Sequence, residues 1–551
     1  MNWFQKHWGA VLTAALIVLS LWNGLRSIDF GFHWDELVHL ETVKIALAEQ
    51  TLLPGGFYDY PSFLFFLTVV ARVGQRILEP LGVGQTDQDF IILGRSLFFV
   101  ITVAGAAFLY AAGRRISGPL SGLFAVITYL FSWQLTYHAR WIAPDALLAS
   151  IGALFIWTLV RRTTTPNARL ARLGPYLVAG LAAGTKYQGA FLVLGALALD
   201  VLLREDLSLR QTALALLRGI ASFIIAFVVI TPGILLQPWK VYAAIRERAE
   251  HYAEGHGLHL GAQSEVLNTP REFGTALLRS FAFDFSSHVL WLSVLIFSLA
   301  IIGALILGRK QSRLTLALLI GPFGFFLYSL TLVVFIIRNF LIFFPFITFF
   351  AAVAVGAVCT SRRTPVIVKW GSVFAIVCYS TFGIIHQTKD ATNINQRGPE
   401  QLARMIADYI KDSNPSTQGT ASLDDEWAAI EDGVAGESDG VCISSTLGVQ
   451  DFLRRQGINL AERERIFKDR QVFLFLSSEL DLGAPVSLDE WPGTRSRWYG
   501  EIGTREVDFS HYPRWDGDVR ALVLTAEKID FIGLDKVEQE ALRISSACLV
   551  V

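Results

Sequence analysis

Eleven apolar runs, most of them close to the length that crosses a bilayer, punctuate the first 390 residues of this chain. They fall at 8–22, 91–112, 118–136, 144–160, 174–187, 188–204, 212–236, 285–308, 314–336, 339–358 and 369–386. In hydrocarbon each backbone N–H and C=O must be satisfied inside its own segment, so such runs fold as helices. Only 17% of the 551 residues are charged, whereas soluble domains carry about a quarter. The composition therefore describes a polytopic α-helical membrane protein. The runs 174–187 and 188–204 are each short for a full span and are expected to tilt or re-enter. The first run has one lysine, Lys6, before it and no small-x-small cleavage pattern after it, so it reads as an uncleaved span.

Orientation follows from the basic residues. The segment 61–80, "PSFLFFLTVVARVGQRILEP", begins apolar but carries Arg72, Arg76 and Glu79 in its second half. If it lies in the interface instead of crossing, the clusters at Arg114–Arg115, Arg161–Arg162, Arg204 with Arg210, Arg309–Lys310 and Arg362–Arg363 all share one side. That side is cytoplasmic by the positive-inside rule. About eleven spans result, plus interfacial helices, with segments 27–90, 237–284 and everything after about 387 extracytoplasmic. A formal net charge of −1 provides no basic excess for nucleic acid.

Residues 1–386 thus form a transmembrane domain, and 387–551 take on the composition of an extracytoplasmic α/β domain. "PEQLARMIADYIKDS" spaces its apolar residues on one helix face, while "GVCISS", "QVFLFLS", "RALVLTA" and "ACLVV" read as strands. The four cysteines form no CxxC pair. Cys442 and Cys548 either pair, if their domain faces an oxidising space, or remain ordinary buried thiols.

Five polar elements lie on the outer side. "GFHWDELVHLE" at 31–41 sets Asp35 beside Glu36, where a carboxylate against apolar walls accepts a proton from a hydroxyl; a solvated acidic loop is the plainer reading. Its His33 and His39 read as interfacial polar contacts. Asp59 precedes Pro61 and a helix, as a catalytic carboxylate or as an N-cap. "YHARWIAPDALLA" brings Arg140 and Asp145 to the end of a span, Asp145 again having a capping alternative. Lys186 interrupts an apolar stretch, a position for a phosphate-binding cation or for snorkelling to the interface. Arg338 in "FIIRNFLIFFP" offers a planar fork for a second phosphate contact. His251, His256 and His259 crowd one outer loop as metal ligand, proton shuttle or solvated side chains.

The ordered set "HWDELVHLE", "YDYPSFLFF", "HARWIAPDALLA", "GLAAGTKYQGAFL", "GHG" and "RNFLIFFP" resembles the GT-C superfamily of integral-membrane glycosyltransferases. It is most similar to the branch of protein O-mannosyltransferases and lipid A aminoarabinose transferases. The resemblance covers about the first 390 residues. It implies catalytic Asp35 with Glu36 beside it, Asp59 as the acidic residue of the second motif, Asp145 in support, and Lys186 facing the donor phosphate. It further implies that His256 joins Asp59 at a divalent metal in some members. Tyr60 and Ser62 depart from the family pattern, at positions of a lysine and a second proline. The implied activity is inverting transfer from a polyprenyl-phosphate-linked sugar to a hydroxyl of a lipid, glycan or protein. Lys186, Arg338 and Arg140 would stabilise the departing phosphate. The implied location is a bacterial inner membrane, with the active site outside. A lipid-linked sugar flippase without chemistry is the alternative.

Overall fold

The computed structural model describes residues 3–28, 34–81, 87–165, 169–203, 208–254, 290–330 and 337–394, with five short strands between 440 and 550. Its contacts divide the chain into two units, one ending at Ala391 and the other taking up Thr392–Val551 together with the short pieces Asp29–Trp34 and Leu258–Ser264.

The first unit is a helical bundle. Its helices are α1 (Trp3–Arg26), α2 (Trp34–Ala48), α3 (Phe63–Leu78), α4 (Asp87–Ser117), α5 (Pro119–Leu130), α6 (Trp133–His138), α7 (Pro144–Thr164), α8 (Arg169–Thr185), α9 (Leu192–Leu202), α10 (Leu209–Ile230), α11 (Gly233–Leu236) and α12 (Pro238–Glu254). Four more follow at Leu290–Lys310, Ser312–Ser329, Phe344–Thr360 and Val366–Ile394. Among the described residues eight helices are long and apolar enough to cross a membrane: α1, α4, α7, α10 and the last four.

The other three expected spans are not among these membrane-length helices. The run 118–136 becomes α5, which opens on Gly118 at φ 92° with Pro119 in its first turn and stops at Leu130. Its 12 residues rise only about 18 Å. The runs around 187 become α8 and α9, separated by the 3-10 turn Tyr187–Phe191. The break falls at Lys186, whose backbone is extended at φ −151° and ψ 135°.

The 16-residue α3 is not among the membrane-length helices. It buries Leu64, Phe65, Thr68, Ala71 and Gln75 at helical spacing and exposes Val70, Val73 and Ile77. Its N-cap is Ser62. Pro61 therefore stands before the helix and not in its first turn, and Asp59 does not cap it. Pro144 does occupy the first turn of α7, but Ala143 is the N-cap there and caps with no side chain.

The core centres on α4, α5, α7 and the helix Phe344–Thr360, which supply many of its buried apolar residues. Close approach depends on small residues, as in other membrane bundles. A Cβ added at Gly303 would stand 1.8 Å from the carbonyl oxygen of Phe350, so only glycine lets those two helices meet. Basic residues gather at one set of helix ends: Arg114 and Arg115 on α4, Arg161 and Arg162 on α7, Arg309 and Lys310 on the helix from Leu290.

The second unit contains a five-stranded sheet of β1 (Gly440–Ser444), β2 (Gln471–Leu476), β3 (Thr504–Asp508), β4 (Asp518–Thr525) and β5 (Ser546–Val550), in the order β3-β4-β2-β1-β5. Only β1 and β2 run parallel. The four segments expected as strands are β1, β2, β4 and β5. The helix expected at 399–413 lies outside the described residues. The antiparallel register sets Cys442 directly opposite Cys548, where partner Cα atoms lie about 4.5–5.5 Å apart, inside the range of a disulfide. Mild oxidation of the purified protein with copper-phenanthroline should therefore close an intramolecular bond between them, read by mass mapping of unreduced peptides. Two thiols that stay open to alkylation under that oxidant would contradict this register.

Candidate functional site

The end of the bundle opposite the basic helix ends is built around a carboxylate. Glu36, in the first turn of α2, is fully buried against Arg95 of α4, also fully buried. Arg95 grips it in a fork, Nε to Oε1 at 2.8 Å and Nη2 to Oε2 at 2.5 Å. The remaining Nη1 donates to the Ile28 carbonyl at 2.8 Å, and Glu36 Oε1 also accepts the Ile142 N–H at 2.9 Å. One ion pair thus ties the exit of α1, the start of α2, the outer part of α4 and the α6–α7 turn. A buried pair is tolerated only when its charges are this fully hydrogen-bonded.

That turn holds further charges. Arg140 is 3% exposed. Trp141 stacks near His138, with ring centroids 5.8 Å apart, and the Arg338 guanidinium lies 5.5 Å from the Trp141 ring, within cation–π range. Asp145, two residues into α7, receives the Lys186 ammonium at 2.5 Å. The same ammonium donates to Asn339 Oδ1 at 2.6 Å. Lys186 neither snorkels nor stands alone; it is buried at the α8 break, between α7 and the 3-10 segment Ile337–Phe343.

A third group straps the first outer loop to α11 and α12. Tyr58 is buried among Val241 and Ala244, its hydroxyl bonding Gln237 at 2.9 Å, and burial pushes its phenol up. Gly233 fits beneath it, since a Cβ there would stand 2.2 Å from the hydroxyl oxygen. Tyr187 donates to the Tyr58 carbonyl and Lys240 to the Gly55 carbonyl. The Asp59 carboxylate is engaged by the Arg248 guanidinium. His39 packs against the rings of Phe57 and Tyr60, so it is an aromatic core contact and not an interfacial polar one.

The structure therefore joins Lys186 with Asp145, and sets Arg338 and Arg140 at the adjoining turn. Glu36 is clamped to Arg95, which fixes α2. Asp35 lies in that same helix, but its side chain is outside the described residues, as are His33, His256, His259 and the side chain of His251. Asp59 is paired with Arg248, and among the described residues no three His, Cys, Asp or Glu side chains converge; His256, the other residue of the expected metal pair, lies outside them.

Sequence reasoning missed Arg95, Arg248 and Asn339. Arg95 was detectable as a charge four residues into a span, an arrangement that demands a partner. The sequence signals nothing for Asn339 or Arg248, whose partners are 153 and 189 residues distant. A third buried pair, Arg162 with Asp200 at 3.3 Å, supported by the Tyr176 hydroxyl, joins α7, α8 and α9 at the opposite end of the bundle.

The solved structure of ArnT from Cupriavidus metallidurans bound to undecaprenyl phosphate matches with TM-score 0.50 and 13% identity, over 94% of this chain and 98% of that one. The archaeal oligosaccharyltransferase AglB from Archaeoglobus fulgidus, in complex with an inhibitory peptide and a dolichol-phosphate, matches with TM-score 0.46 and 12% identity, over 80% of this chain and 63% of that one. Residues 87–233, from α4 to the start of α11, match the family model described as dolichyl-phosphate-mannose-protein mannosyltransferase. No curated protein sequence matches the chain significantly. The family-model match over residues 87–233 and the fold shared with ArnT support a membrane glycosyltransferase of the GT-C kind.

Two outcomes follow from the geometry. Replacing Glu36 with Gln leaves the Arg95 charge buried without its counter-ion and should cost about 3–5 kcal/mol. The double change Glu36→Leu with Arg95→Leu should recover part of that loss, as read by thermal unfolding of the detergent-purified protein. Burial also pushes His39 from 6.5 down to about 4. Between those values the unfolded chain binds a proton that the folded one refuses, so His39 makes stability fall as pH drops through that window. Unfolding measured at pH 7 and pH 5 should show that loss, and His39→Phe should reduce it.

Proposed function

We propose that the chain transfers a sugar, with inversion, from a polyprenyl-phosphate-linked donor to an acceptor hydroxyl at the extracytoplasmic face. The observation that carries this reading is the meeting of two chemistries at one bundle end. The Glu36–Arg95 clamp anchors the helix bearing Asp35 to the turn that carries Arg140, Trp141 and Asp145. That turn in turn meets Lys186, Arg338 and Asn339.

In this mechanism Asp35 takes the acceptor proton as the hydroxyl oxygen attacks the anomeric carbon. The bond to the phosphate oxygen breaks on the opposite side, and the lipid phosphate departs with both electrons. Lys186, Arg338 and Arg140 stabilise the charge that develops there. Glu36, one position on and about 100° around the helix, orients α2 instead of taking a proton. Asp145 holds Lys186. No step passes through a metal. If α5, α8 and α9 cross as short members beside the eight membrane-length helices, the positive-inside rule supports basic ends inside and this site outside. This orientation is also what a bacterial inner-membrane location requires.

Asp35→Asn should lower kcat by about 10²–10⁴-fold while leaving thermal unfolding near wild type, in an assay that follows sugar transfer and release of the lipid phosphate. Lys186→Met should mainly raise the donor KM, by about tenfold or more. Full activity of a folded Asp35→Asn protein would overturn the assignment of the base.

A further inference from the structure

We infer that Asn339 is a positioning residue that holds Lys186 for the donor phosphate without neutralising it, and that its being an amide and not a carboxylate is what lets the site bind an anion. This rests on the reading of Lys186 as the phosphate-side cation.

The Lys186 ammonium has three N–H donors and no acceptor. Two of them are committed within the protein, to Asp145 Oδ1 at 2.5 Å and to Asn339 Oδ1 at 2.6 Å. All three residues are buried, so the ammonium cannot find water in place of these partners. Two acceptors from two different elements fix the direction of the third N–H, which a single carboxylate would leave free to rotate. The amide orientation is itself determined, because only the Oδ1 face accepts from an ammonium.

The charge balance gives the amide its function. Asp145 contributes one negative charge against Lys186, while Arg338, adjacent in sequence to Asn339, contributes another positive one and stacks on Trp141. The neutral acceptor supplies the second hydrogen bond without adding negative charge beside Lys186. A carboxylate in its place would make the same hydrogen bond but add one negative charge, close to any phosphate that Lys186 contacts. Like charges a few ångströms apart repel strongly where screening is poor, so this one substitution weakens the attraction for an anion.

Asn339→Asp is the informative variant because it keeps size, shape and the acceptor toward Lys186. An Asn339 that served the fold alone would leave donor kinetics unchanged, and its isosteric carboxylate would keep or raise the unfolding temperature. The inference expects separation of the two readouts. Thermal stability should be at or above wild type, while the donor KM rises by about tenfold or more and the acceptor KM stays the same. Asn339→Ala, which removes the acceptor but adds no charge, should affect kcat more than donor KM. Asn339→Gln should restore part of kcat. A donor KM unchanged in stable Asn339→Asp protein overturns the inference. Lys186→Met measured in parallel separates the failures: if it too leaves donor KM unchanged, the phosphate-side reading of Lys186 is what falls.

Discussion

The acidic end of this bundle, opposite the basic helix ends, depends on one ion pair that water does not reach. Arg95 projects from α4 into an otherwise apolar interior, and Glu36 meets it from a helix that is not a membrane-length span. Neither charge survives burial alone; together, with the Ile28 carbonyl and the Ile142 N–H, each polar edge of the pair is occupied. The desolvation cost is offset only in that arrangement. The pair therefore specifies where α2 begins and how it faces the bundle. Since α2 and the α6–α7 turn carry most of the acidic and basic candidates, the geometry of the site follows from it.

A second constraint is the alternation of the helices. Chains that cross repeatedly return their polar turns to the same two surfaces, and here the turns of one surface are rich in arginine and lysine at helix C-termini. The other surface receives α2, the Tyr58 strap, the α6–α7 turn, the break at Lys186 and the segment from Ile337. Residues separated by more than 150 positions meet there, Lys186 with Asn339 and Asp59 with Arg248. The break in the helix at Lys186 is part of the design: an extended residue between α8 and the 3-10 turn directs a long side chain into the bundle, where Asp145 and Asn339 receive it.

Much of this was legible in the sequence because lipid imposes simple rules. Apolar run length identified the membrane helices, and the break near 187 was visible as two runs each too short. Asp145 and Lys186 stood out as charges at the edges of apolar segments. The account failed where proximity depends on tertiary structure. The sequence sets Glu36 beside Asp35 but does not show what holds it, because Arg95 approaches from a helix 59 residues later. Capping was the natural alternative for Asp59 and Asp145, since both precede or open helices; their cationic partners outcompete it. His39 reads as polar on any scale, and only the surrounding Phe57 and Tyr60 rings reveal it as a core residue.

The central claim is that the cluster around Lys186, Arg338 and Arg140 holds the lipid phosphate of the donor. The direct measurement is photo-crosslinking of the purified protein with a polyprenyl phosphate carrying a diazirine next to the phosphate, followed by peptide mass mapping. The account predicts adducts at residues 139–145, at 185–189 and at 337–343, all competed away by unlabelled polyprenyl phosphate. Adducts confined to lipid-facing helices such as α10, or labelling that the unlabelled lipid phosphate does not compete, would contradict it.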